Sequence, residues 1–111
     1  MKLSDIKGER VFDVIADIIE PIVNISQDKD AAEIFTPREL PEGMEPWEFF
    51  LVRIKKSLPS LLKTHRDDFV AIMAAVNDVT PDEYKESMTL AKLLSDTIEL
   101  VTDREFMSFF G

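Results

Sequence analysis

The 111 residues contain no cysteine. That absence removes disulfides, thiolate metal sites and cysteine nucleophiles together. Glycine is scarce, with three in the chain, and none of them belongs to a phosphate-cradling loop. The single histidine, His65, stands beside Arg66 in a basic run with no ligand set or nucleophile at a recognisable spacing. The positive potential expected there disfavours both its protonation and cation binding. Asp28–Lys29–Asp30 is followed by apolar residues where a Ca²⁺ loop needs oxygen ligands. No enzyme activity, cofactor, metal or small-molecule substrate is therefore expected. Basic residues number 13 against 22 acidic, a formal net charge of −9. Phosphate contact wants the opposite sign, so no nucleic-acid partner is expected. No apolar run approaches the ~20 residues of a membrane span. The start, Met1–Lys2–Leu3–Ser4–Asp5, lacks the apolar core of a signal peptide. The expected compartment is the cytoplasm, with no membrane contact.

Apolar residues, by contrast, make up 45% of the chain, enough for one domain over 1–111 with its own core. From Phe69 to Val76 eight uncharged apolar residues run without a break. Alanine and methionine content favours a helix over a strand, and a helix apolar on all sides must be surrounded by others. The reading is all-α: a compact bundle of about six short helices around a central apolar helix over 67–78.

Before that centre, 8–25 reads as an amphipathic helix with Val11, Ile15, Ile18 and Ile22 on one arc, and Phe12 and Ile19 beside them. Asp13, Asp17 and Glu20 fall opposite, as a solvated face or a docking surface for a basic partner. Pro21 predicts a kink or a new start. Asp28 is placed to cap a short helix to Phe35, and 36–46 is a loop that Leu40 and Met44 pin to the core. Pro46 suits the first position of the next helix. Trp47, Phe50, Leu51, Ile54, Leu58 and Leu61 then share an arc of about 120°. Pro59 predicts a bend there. Lys55, Lys56, Lys63 and Arg66 lie opposite that arc, with Phe49 and Val52 among them, as ordinary surface or as an apolar patch with a charged rim. From Phe49 to Arg66 no residue is acidic, leaving 8 basic against 22 acidic residues in the remainder.

Thr64 and Asp67 resemble a capping box for the central helix, and Thr80–Pro81–Asp82–Glu83 carries all the marks of one. Thr89 is placed to cap a helix whose Leu90, Leu93, Leu94, Ile98 and Val101 form another apolar face. Thr102–Asp103–Arg104–Glu105 opens a terminal piece over 103–111 with Phe106, Met107, Phe109 and Phe110. Chain ends fray unless held. These four residues dock either in the protein's own groove or on a partner.

Taken together, Lys2–Leu3–Ser4–Asp5–Ile6–Lys7–Gly8–Glu9–Arg10, the run 13–22, Leu40–Pro41–Glu42–Gly43–Met44, Lys56–Ser57–Leu58–Pro59–Ser60–Leu61–Leu62–Lys63, Asp67–Asp68 and Thr80–Pro81–Asp82–Glu83–Tyr84 resemble tail assembly chaperones of long-tailed phages and prophages of Gram-positive bacteria. The resemblance spans nearly the whole chain and rests on caps, kinks and core positions. It implies an all-helical, non-catalytic protein in the bacterial cytoplasm that coats the tape measure protein before tail tube polymerisation and is absent from the mature virion. It also implies a translational frameshift near the end of a short form, for which Phe109–Phe110–Gly111 permits a U-rich slippery run. On this reading the tape measure protein is a helical client held at Phe106, Met107, Phe109, Phe110, Phe49 and Val52. A homo-oligomer is expected, with Lys55, Lys56, Lys63 and Arg66 of one copy meeting Asp13, Asp17 and Glu20 of the next. A small DNA-binding or regulatory module and a structural tail component are the alternatives.

Overall fold

Cap chemistry sets most of the element boundaries. Thr80 Oγ1 accepts from the Glu83 amide at 3.1 Å while Glu83 Oε1 accepts from the Thr80 amide at 3.2 Å, a reciprocal pair that opens a helix over Pro81–Ser87. Asp28, Thr89 and Asp103 cap their helices in the same way, each accepting from amides two or three residues on. The computed structural model describes residues 3–110. Met1, Lys2 and Gly111 lie outside the described residues, and with them the outer ends of the N-terminal run and of the segment 103–111.

In chain order the α-helices are α1 (Arg10–Ser26), α2 (Lys29–Ala32), α3 (Pro46–Lys63), α4 (Arg66–Val76), α5 (Pro81–Ser87), α6 (Leu90–Val101) and α7 (Arg104–Met107). Short 3₁₀ turns occupy Leu3–Asp5 and Glu33–Phe35. The fold is an all-α bundle. At its centre α4 buries Phe69, Val70, Ile72, Met73, Ala74 and Val76, packed chiefly on the inner face of α1 and also on α3 and α5.

No new helix starts at either internal proline. α1 runs through Pro21, which is buried, and α3 runs through Pro59. Near Pro59 tertiary bonds hold the backbone. Ser57 Oγ accepts from the Ile34 amide at 2.8 Å and donates to the Asp30 carbonyl at 2.7 Å, and Leu61 is fully buried one turn on. Thr64 does not cap α4; it closes α3, and His65 occupies the N-cap position. In the loop 36–45, Leu40 is exposed instead of pinned and Met44 is half-buried. Arg10 donates to the Ala75 and Val76 carbonyls at 3.2 and 3.3 Å, satisfying the carbonyl end of α4 from α1.

The C-terminal segment docks in its own groove. Phe106 is fully buried, edge-on to Phe35 with ring centroids 5.3 Å apart, and Phe110 lies 5.2 Å from the same ring. Asp103, itself buried, accepts from the Ser4 amide at 2.9 Å and so ties the two ends of the chain together.

Candidate interaction surfaces

α6 covers only part of its apolar surface. Leu93, Leu100 and Val101 pack toward the core, while Leu90, Leu94 and Ile98 share one line at helical spacing. Yet the buried residues are Asp96, Thr97 and Leu100, on a face about a quarter turn away. Leu90 is 75% exposed, and Leu94 and Ile98 are more than a third exposed. The inward polar groups are bonded: Tyr84 donates its hydroxyl to Asp96 Oδ2 at 2.7 Å, Lys92 lies 3.3 Å from the same oxygen, and Thr97 Oγ1 donates to the Leu93 carbonyl. Burial, reinforced by that hydrogen bond to Asp96, pushes the Tyr84 hydroxyl well above its ordinary range.

α3 behaves alike along its first three turns. Of the arc that reads as core, only Leu61 is fully buried; Trp47 and Leu51 stand exposed, at 59% and 46%. Trp47 stacks on Phe50 with centroids 5.3 Å apart. The two misfit faces border one open groove of about 410 Å³, with Trp47, Phe49 and Phe50 on the α3 side, Ile98 and Val101 on the α6 side, and buried Ile34 below. Arg53 closes part of the floor. Its guanidinium lies 5.4 Å over the Phe49 ring and donates to the Glu33 and Thr36 carbonyls.

A third uncovered face runs along α1. Phe12 (77% exposed), Ile15, Ile19 and Val23 form a line of helical spacing beside, not within, the buried line Val14, Ile18, Ile22 and Ile25. This line leads to a second cavity of about 260 Å³, bounded by Leu3, Ile6, Val11, Val14, Ile15 and Phe109. Contiguous apolar surface of this kind marks contact sites, since each such side chain gains about 1.5–3 kcal/mol when fully covered.

The residues singled out in the sequence fall into three groups. Phe106 is in the core, so it cannot meet a partner in this conformation; Phe35 covers it. Phe110 and Met107 are half-buried against the same cluster, and Phe109 alone of the four is exposed, beside the α1 cavity. Phe49 is half-buried in the groove, while Val52 is exposed on the outer side of α3. Lys55, Lys56, Lys63 and Arg66, like Asp13, Asp17 and Glu20, are all exposed. None of these seven forms an ion pair among the described residues. Arg66 turns back to its own helix end, its Nε donating to the Leu62 carbonyl at 3.1 Å. The sequence placed the cations correctly on the surface. It missed that the apolar arcs of α1, α3 and α6 would stay partly uncovered.

His65 overturns its sequence reading. Its spatial neighbours are acidic: Nε2 lies 2.9 Å from Asp28 Oδ2 and Nδ1 lies 3.2 Å from Asp68 Oδ2, with Asn24 donating to the other Asp68 oxygen at 3.1 Å. Each ring nitrogen thus faces one carboxylate oxygen. The hydrogen bond from His65 holds the Asp28 carboxyl below the usual carboxylate range, helped by the Ala31 amide. The cluster clamps α1, α2 and α4 together. Its carboxylates sit on opposite ring nitrogens and do not converge on one point, and no group among the described residues is arranged to hold a metal ion. Nor is any described helix long and apolar enough to cross a membrane.

A scan of protein-family models, a search of curated proteins and a search of solved structures each returned no match.

Proposed function

We propose that this protein is a non-catalytic binding module for an amphipathic helix, and that it serves as a tail assembly chaperone whose client is the tape measure protein. The observation that carries the reading is the uncovered part of α6. This helix buries Asp96, Thr97 and Leu100, leaves Leu90, Leu94 and Ile98 more than a third exposed, and sets Ile98 and Val101 in one groove with Trp47 and Phe50, an apolar surface its own fold leaves uncovered. An amphipathic helix laid into such a trough contributes anchors at i, i+3, i+4 and i+7. A shallow, open groove suits a coat that is later displaced, because several modest apolar contacts release more readily than one deep pocket. The sequence resemblance supplies the client's identity. The proposed site therefore moves from the terminal phenylalanines, of which Phe106 is in the core, to the α3–α6 groove.

Co-expression with a tagged tape measure protein tests this. Wild-type protein is expected to co-purify with it, whereas Leu94→Glu with Ile98→Glu is expected to lose the client while keeping its helical circular dichroism. Undiminished co-purification of that double variant would move the client site away from the groove. Failure of the wild-type protein to co-purify would remove the client assignment itself.

A further inference from the structure

Two depressions meet at the C-terminal end of α6. The α3–α6 groove shares Val101 and Thr102 with a neighbouring hollow bounded by Pro37, Arg104 and Met107, so the two form one trough. In a chain with 22 acidic and 13 basic residues, no carboxylate lines either part; the charged residues there are Arg53 and Arg104. Neither has a carboxylate to itself. The Arg53 side chain is 13% exposed and donates to the Glu33 and Thr36 carbonyls. Its Nε is buried without a hydrogen-bond partner, 3.9 Å from Glu33 Oε1. The Glu33 carboxylate is taken by Arg38, whose nitrogens donate to its two oxygens at 3.3 and 3.0 Å. Two guanidiniums thus share one carboxylate, which leaves net positive charge beside an apolar floor. Arg104 is exposed and forms no ion pair among the described residues.

We propose that the trough selects an amphipathic helix whose apolar stripe is edged by carboxylates, with Arg53 and Arg104 setting that preference. The preference rests on the groove being the helix-binding site and adds the chemistry of what enters it. An apolar stripe covers Trp47, Phe50, Ile98 and Val101, while an acidic edge supplies the counter-charge that Glu33 divides between two arginines. The incoming helix expels water, and the attraction strengthens as the effective dielectric falls. Net charge alone predicts the reverse: at −9 the protein repels an acidic partner at long range and attracts a basic one. Physiological salt screens that long-range field over about 8 Å and acts far less on charges meeting inside a covered trough.

Three synthetic helical peptides test it, with Trp47 fluorescence as the readout of binding. They share one leucine stripe at i, i+3, i+4 and i+7 and differ only in its edges, which are Glu, Gln or Lys. The wild-type protein is expected to bind the Glu-edged peptide at least about tenfold more tightly than either other. In Arg104→Glu, a change on an exposed side chain, that advantage is expected to shrink severalfold. In Arg53→Met with Arg104→Gln it is expected to vanish, while the Gln-edged peptide binds as before. Arg53 also holds the Glu33 and Thr36 carbonyls, so circular dichroism checks that the double variant folds; the wild-type series and Arg104→Glu decide the question without it. Equal affinity for Glu and Gln edges, tighter binding of the Lys edge, or an advantage undiminished in Arg104→Glu would overturn the charge preference and leave the groove as the site. Binding of none of the three would remove the groove as a helix site, and the preference with it.

Discussion

α4 and α6 look alike in the sequence and are used in opposite ways. Each carries an apolar series at helical spacing. α4 turns its series inward and is covered by α1, α3 and α5 of its own chain. α6 turns Leu90, Leu94 and Ile98 outward and buries Asp96 and Thr97 together with Leu100. Apolar periodicity states that a face is kept from water. It does not state whether the cover comes from the same molecule. The polar inward face of α6 shows that its orientation is specified and not a packing accident, because Tyr84 reaches across from α5 to bond Asp96.

Truncations make this contrast measurable. Phe69→Ala in α4 and Phe106→Ala in α7 should each cost about 3–5 kcal/mol in urea unfolding, as large-to-small changes in a closed core do. Leu90→Ala in α6 should stay within about 0.5 kcal/mol, since the residue touches mostly solvent in a free copy. A Leu90→Ala loss as large as that of Phe69→Ala would erase the distinction. Tyr84→Phe should cost about 1–2 kcal/mol by leaving the buried Asp96 carboxylate a partner short. No loss there would mean that the bond does not orient α6.

A smaller effect concerns the helix starts. Thr80→Ala should cost about 1 kcal/mol by removing one side of the reciprocal cap on α5. The His65 clamp should appear in the pH dependence. Asp28 has its carboxyl depressed in the folded state, so its contribution is present above the unfolded value and is lost as pH falls through the folded one. Stability should therefore decline below about pH 4, the range of an ordinary aspartate. Asp28→Asn, which can still cap α2, should flatten that decline. An unaltered acid limb in the variant would show that the clamp contributes nothing to it.

What was legible in the chain follows from how local each signal is. The Thr80, Thr89 and Asp28 caps were readable because a cap acts within three residues, and the signal in 102–105 marked the last helix start, where Asp103 proves to be the cap. The central helix was readable because eight successive apolar residues leave no solvent face. At Pro21 the alternative of a new helix start was misleading, since a proline loses one backbone donor locally while buried neighbours keep the helix continuous. His65 misled more: its sequence neighbour is Arg66, but Asp28 comes from 37 residues away. For Phe106 and Phe110 the need for cover was legible and its source was not; Phe35 supplies it. That α6 leaves Leu90, Leu94 and Ile98 uncovered was hidden because periodicity does not show what covers a face, and only Tyr84 in place explains why Asp96 turns inward.

Trp47, the single tryptophan, stands exposed at the edge of the α3–α6 groove and reports on its occupancy. Its fluorescence on titration with an amphipathic helical segment of the tape measure protein tests the central claim most directly, that this groove is completed by another chain. The account predicts a saturable blue shift in the wild-type protein that is absent from Leu94→Glu with Ile98→Glu. A saturable shift of equal size in that variant, or no shift in the wild-type protein, would contradict it.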